Sequence, residues 1–250
     1  MASTIGLAPT GPVSKPLGFA LSFSKIRIGL VLVAAALCMP LAQSIAVADE
    51  SISAAETLLF DTDHLKTITQ PLSLHYHFKK TGKLEGGFED DVELTIRSGP
   101  YAGRKQVSTT YLSGEHRENF PPVEGATGNP VLMYFLERDI REMQRLTGGN
   151  WRYFQKRIRL ALADKAQIKS VDFLHEGKQV TGQEVRIVPY ADDPLRKRYD
   201  KYAEKYYLFV LSEAVPGGVY QISAVIPDPK STSAPDLMEE TLTLIRAGGG

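Results

Sequence analysis

Two histidines, His75 and His77, stand two residues apart in the alternating run Leu72-Ser-Leu-His-Tyr-His-Phe78. On a strand that spacing puts both imidazoles on one face, where they could fill two positions of a metal site. Zinc needs a third or fourth ligand, and His64, His116 and His175 all belong to other segments. The pair also reads as the polar face of a strand whose other face is Leu74, Tyr76 and Phe78. That reading is the simpler one, and no metal is expected. Glu115-His116-Arg117-Glu118 sets an imidazole among carboxylates, the ingredients of a tuned general base. No nucleophile stands in a recognisable frame beside it, and Ser113-Gly114 lacks the G-x-S-x-G elbow, so a solvated loop accounts for it. In Glu137-Arg-Asp-Ile-Arg-Glu142, Asp139 falls near an apolar stripe, a place for a carboxylate buried beside an arginine. Paired carboxylates there could work as acid and base; ordinary surface ion pairs explain the same pattern.

Two further groups suit binding rather than catalysis. Arg157 and Arg159, with Arg152 and Lys156 nearby, could hold an anion or a phospholipid head group, since the planar guanidinium makes bidentate bonds to phosphate. Tyr199, Tyr202, Tyr206 and Tyr207 could rim a ligand mouth or a partner site, each offering apolar area with a polar tip. The chain has no P-loop, no G-x-G-x-x-G after a strand, no H-E-x-x-H and no EF-hand loop. No catalytic residue and no cofactor is assigned.

The elements that must position these residues are mostly strands. Leu72 to Phe78, Val92 to Ile96 and Gln106 to Leu112 form a meander, with Ser98-Gly-Pro-Tyr-Ala-Gly103 as a turn. A helix follows over 130–147. Asn129 caps it, Pro130 fits its first position, and Leu132, Leu136, Ile140, Met143 and Leu146 make its apolar stripe. Gly148-Gly149 ends it. Residues 151–163 fit two periods. Trp151, Phe154, Ile158 and Leu162 suit a helix capped by Asn150, whereas Arg-Ile-Arg-Leu-Ala-Leu-Ala alternates as a strand does, and the alternation favours the strand, with Arg157 and Arg159 on one face. Strands over 170–174 and 179–188 flank a hairpin loop at His175-Glu-Gly-Lys178. A short charged helix is expected within 194–205. Strands over 206–211 and 219–226 are joined through Val215-Pro-Gly-Gly218, and a last strand runs from Leu237 to Ile245. The expected fold is α+β: one domain over 71–247, a curved antiparallel sheet of about nine strands packed against one long helix. Residues 49–70 read as an N-terminal arm.

The first 48 residues carry an address. Lys25 and Arg27 precede an apolar run from Ile28 to Met39, followed by Ala46-Val47-Ala48, the anatomy of a secretory signal peptide cleaved after Ala48. The run is too short to span a bilayer, which takes about 20 residues, so no membrane span is expected after its removal. Lys15, Lys25, Arg27 and Cys38 all lie in that segment, which holds no acidic residue. The chain has 29 basic and 29 acidic residues and a single cysteine, so the exported part carries a net charge of −3 and no thiol. That balance excludes the basic excess of a nucleic-acid binder and every thiolate mechanism.

Asn129-Pro-Val-Leu-Met-Tyr-Phe-Leu-Glu-Arg-Asp-Ile-Arg-Glu-Met-Gln-Arg145, Arg157-Ile-Arg-Leu-Ala161 and Val210-Leu-Ser-Glu-Ala-Val-Pro-Gly217 resemble a family of uncharacterised exported proteins of Gram-negative bacteria, a resemblance that implies no activity. The expected architecture is loosely similar to the periplasmic lipoprotein carriers, whose sheet takes up acyl chains; at the level of fold this implies lipid binding without fixing it. The sequence therefore points to a secreted, periplasmic, non-catalytic binding or accessory protein. It would hold an apolar or lipid-like ligand between sheet and helix, at Leu136, Ile140 and Met143, with Arg157, Arg159, Tyr202 and Tyr206 as further ligand-binding residues. A hydrolase or metal enzyme using the histidines, and a structural partner in an envelope complex, are the alternatives.

Overall fold

The computed structural model describes residues 52–229 and 235–249; the leader and its cleavage site lie outside the described residues. Among the described residues nine strands form one antiparallel sheet. In chain order they are β1 (Leu72–Gly82), β2 (Phe88–Ser98), β3 (Lys105–Tyr111), β4 (Val123–Ala126), β5 (Gln167–His175), β6 (Lys178–Ile187), β7 (Tyr206–Leu211), β8 (Val219–Ile226) and β9 (Met238–Gly249). Their spatial order is β4-β3-β2-β1-β9-β8-β7-β6-β5. The chain steps outward from β1 to β4, crosses to the opposite edge through α2 (Val131–Thr147) and α3 (Trp151–Asp164), and steps back until β9 lies beside β1. First and last strands thus meet mid-sheet, in register from Tyr76↔Leu244 to Gly82↔Met238.

Alternation gives the sheet one buried face. Leu74, Tyr76 and Phe78 of β1, Val92, Leu94 and Ile96 of β2, Leu242 and Leu244 of β9, Ile222 and Ala224 of β8, Tyr207 and Phe209 of β7, and Val185 and Ile187 of β6 are all buried there. They meet Leu132, Phe135, Leu136, Ile140 and Met143 of α2 and Phe154, Ile158, Ala161 and Leu162 of α3 in one core. Gly248 and Gly249 pair with Ser73 and Leu72. The N-terminal arm belongs to this core as well. Ser53 caps a short helix α1 (Ala54–Glu56) with a reciprocal capping box, the chain continues as a π-helical turn (Thr57–Asp61), and Ala55, Leu59, Leu65 and Ile68 are buried.

The helix expected over 130–147 is present and the strand expected over 151–163 is not. Asn129 Oδ1 accepts the Val131 N–H at 3.1 Å, and Gly148, at φ 66°, closes α2 with its N–H on Gln144. Residues 151–164 form a second helix, capped by Asn150 Oδ1 on the Arg152 N–H at 2.9 Å, so the sheet packs against two helices rather than one. A seven-residue alternation lost to a longer pattern: Phe154, Ile158, Ala161 and Leu162 bury at helical spacing. Only Ile158 in that run is β-branched, and the rest are mostly good helix formers. The number nine survives through an exchange, because β4 was not expected. It has four residues after two prolines and pairs with β3 across a register shift, too short to show a period. Within 194–205 the chain makes two 3₁₀ turns (Arg196–Arg198 and Asp200–Tyr202) in place of a helix. Tyr199 separates them at φ −143°, ψ 41°, its ring drawn into the core against Phe154 and Tyr190.

Candidate binding site

The 17 residues of α2 are buried over most of their circumference, and charges are buried with them. Asp139 is 1% exposed, and its partner is a lysine rather than an arginine. Lys205 Nζ donates to Oδ1 at 2.5 Å and the Tyr207 hydroxyl to Oδ2 at 2.5 Å. Burial pushes the Tyr207 phenol well above its ordinary range, and the Asp139 carboxylate adds to the push, so the hydroxyl stays protonated as the donor. One residue earlier, Arg138 donates to Glu240 Oε2 at 2.6 Å and lies over the Phe78 ring. Lys80 bridges Glu240, at 3.3 Å, and Glu85, at 2.8 Å. Arg141 binds Glu137 and Glu118, and Arg145 binds Glu142 and Glu85. Side chains of the sheet and α2 therefore pack in one core and are tied across it by ion pairs. Leu136, Ile140 and Met143 are core residues there.

An open volume lies further along the same face of the sheet. A cavity of about 610 Å³ is bounded by Leu58, Thr62, Asp63, His64, Lys66 and Thr67 on one side. Across from them are Ser170 of β5, Thr181 to Gln183 of β6, and the end of β7 with its turn from Leu211 to Val215 and Gly218. The register explains the wall: Ser170 pairs with Gln183, and Gln183 with Leu211, so these three side chains share one face. Leu58, Leu211 and Val215 supply apolar wall. Ser212 and Thr181 are engaged, through Ser212 Oγ on the Thr181 carbonyl at 2.8 Å and Thr181 Oγ1 on Asp172 at 2.6 Å. Lys66 and Glu213 close an exposed ion pair across the rim at 2.7 Å.

His64 forms the floor and connects it to α2. Its Nε2 lies 2.9 Å from the Leu58 carbonyl, and its Nδ1 accepts the Asn129 N–H at 3.2 Å. The ring is therefore neutral with its proton on Nε2. Burial lowers the imidazole pKa below its ordinary value, against the pull of the Leu58 carbonyl and Asp63. Asn129, besides capping α2, donates to the Tyr76 hydroxyl at 3.0 Å and the Gly217 carbonyl at 2.9 Å. Gly218 permits the close approach: at φ 72°, any Cβ there would stand 2.9 Å from the His64 ring. The sequence offers this histidine only as a distant third ligand for His75 and His77; its partners come from its own stretch, from Asn129 and from Gly218.

The remaining sequence-singled residues do not converge on the cavity. His75 and His77 lie on the opposite face of β1, where His77 pairs with Glu89 and Asp91. His116 stacks on Phe88 at 3.7 Å, and His175 ends β5 beside Tyr220. Among the described residues, no three or more His, Cys, Asp or Glu side chains are grouped so as to hold a metal ion. Arg157 and Arg159 were expected on one face; in a helix they point about 200° apart. Arg157 binds the Pro189 carbonyl and Asp193 at 3.1 Å each, whereas Arg159 is exposed. Tyr206 lies under Arg186, and Tyr202 is half-buried against the core.

No family model matches the chain, so the likeness of 129–145, 157–161 and 210–217 to exported proteins gains no support there, and no curated protein matches it. Among solved structures, the lipoprotein LppX of Mycobacterium tuberculosis is similar over 78% of this chain and 94% of its own, at 12% identity and a TM-score of 0.32. A LolA superfamily protein of Nitrosomonas europaea is similar over 78% and 93%, at 9% identity and a TM-score of 0.21. Likenesses at this level say nothing about what the chain binds.

Proposed function

We propose that this protein is a non-catalytic binding protein that takes a small amphipathic, lipid-like molecule into the cavity between residues 58–67 and strands β5 to β7. The observation that supports the reading is the cavity itself. Its volume of about 610 Å³ is that of a site for a small organic ligand. Leu58, Leu211 and Val215 would cover the apolar part. The Ser170 hydroxyl and the Gln183 amide would hold the polar end, and the Lys66–Glu213 pair would be the gate through which it enters. The protein would work outside the cytoplasm, with residues 1–48 as the leader cleaved after Ala48; the intact mass of the protein recovered from cells tests that part separately.

The binding test is titration with a fluorescent fatty acid. Saturable uptake at one molecule per chain is expected, weakened at least about tenfold by Ser170→Trp, which fills the cavity from an exposed position and leaves the core alone. Absence of saturable uptake, or uptake indifferent to that substitution, would sink the reading.

A further inference from the structure

The outer face of α3 carries charge that the fold does not use. Arg152, Lys156 and Arg159 are exposed and recur at helical spacing on one stripe, with Leu160, 41% exposed, at its margin. The segment 189–199 packs along the flank of α3 next to that stripe. The Tyr153 hydroxyl donates to Asp193 at 2.5 Å, Arg157 reaches Pro189, and the Phe154 and Tyr199 rings meet at 6.0 Å. That segment and the turn after it present Lys197, Arg198 and Lys201, all exposed, with Leu195, 39% exposed, among them. Among the described residues none of Lys156, Arg159, Lys197, Arg198 and Lys201 has a carboxylate partner. Their neighbours Arg157, Lys165 and Arg196 do, in Asp193, Asp192 and Glu204. Arg152 rests over the ring of Trp151, 4.4 Å from its centroid, at the start of the helix.

We propose that this face, α3 with the 195–201 turns, docks the protein onto an anionic phospholipid surface. Unpaired cations on an otherwise acidic chain concentrate positive potential on one side, which attracts a negatively charged bilayer. Leu160 and Leu195 are exposed beside the cations, and Trp151, half-buried against the core at the start of α3, would stand at the head-group level in that pose. A single-stranded nucleic acid would call for several aromatic rings interleaved with the cations for base stacking, and this face offers two leucines and one half-buried tryptophan.

The test uses the purified protein and vesicles of phosphatidylglycerol mixed with phosphatidylcholine, against vesicles of phosphatidylcholine alone. Binding is expected to the mixed vesicles only and to fall as salt is raised. Each neutralised cation should cost about fivefold, so Lys156→Gln, Arg159→Gln, Lys197→Gln and Arg198→Gln together should weaken binding on the order of 100-fold or more. A matched control, Arg97→Gln, Arg104→Gln, Arg117→Gln and Lys178→Gln, removes as much charge elsewhere and should weaken it far less. Trp151 is the single tryptophan of the chain, so a blue shift of its emission reports docking through α3 in the unaltered protein. No binding to the mixed vesicles, equal losses in the two variants, or binding without a tryptophan shift overturns the proposal. So does capture of an acidic envelope protein by this face where vesicles are not bound.

Discussion

Helices α2 and α3 follow each other across a three-residue turn, each with a capping asparagine and each rich in charge, of both signs on α2 and basic up to Asp164 on α3, yet the fold uses them in opposite ways. Every arginine of α2 has a carboxylate partner, and Asp139 and Arg138 are buried with theirs. On α3, among the described residues, only Arg157 is so engaged, while Arg152, Lys156 and Arg159 face outward. The lesson is that charge on a helix acquires its meaning from what the sheet brings opposite it. Beneath α2 the strands supply Glu240 and Lys80, and the residue before β7 supplies Lys205; the outer face of α3 is exposed.

The comparison is easiest to break at its deepest point. Lys205→Met leaves Asp139 buried with only the Tyr207 hydroxyl, and a stability loss of about 3–5 kcal/mol is expected in urea unfolding. A loss under about 1 kcal/mol would mean that the pair is as dispensable as a surface one. Substituting Asp139→Leu together with Lys205→Met should recover much of that loss, since the uncompensated charge disappears.

The two caps sharpen it next. Asn150→Ala removes one exposed bond and should cost about 1 kcal/mol. Asn129→Ala also strips Tyr76 and Gly217 of a buried partner and should cost about 2–4 kcal/mol. Equal effects would show that Asn129 acts as a cap alone.

A pH dependence should belong to the start of α2 and not to that of α3. The folded pKa of His64 lies below its unfolded value, so the unfolded chain binds the proton more readily. The stability contributed by the neutral ring is fully present above about pH 6.5, and it is lost as pH falls from there toward the folded pKa. His64→Gln should flatten that part of the stability profile; a slope that persists unchanged assigns it to another group.

The smallest effect is expected on the outer face of α3. Lys156→Gln and Arg159→Gln should each change stability by no more than about 0.5 kcal/mol, measured by the same unfolding curves. A larger loss would reveal a structural partner and weaken the case for a docking face.

Much of the sheet was legible because a half-buried strand writes its exposure into the sequence with period two, as Leu74, Tyr76 and Phe78 do against His75 and His77. The helix α2 was legible for the same reason at period 3.6, with asparagine before it and glycine after it. The segment 151–164 carries both periods at once, the helical one over the longer stretch, and on its helical face Phe154 packs against Tyr190 and Tyr199. The candidate cavity is scarcely legible at all: of its lining residues only His64 stands out for its chemistry, because Leu58, Ser170, Gln183 and Val215 are unremarkable in type and come from four stretches of chain.

By itself the sequence determined which residues alternate, where α2 begins and ends, where the hairpin at His175 to Lys178 turns, and that the charges balance. These are local matters, settled by dihedral preference and by the periodicity of burial. The tertiary structure alone decided that β9 closes against β1, that Lys205 meets Asp139 across 66 positions, and that residues 58–67 stand off from β5 to β7 far enough to leave a cavity. Such outcomes depend on how distant segments share one face of the sheet, and no local pattern encodes the distance between them.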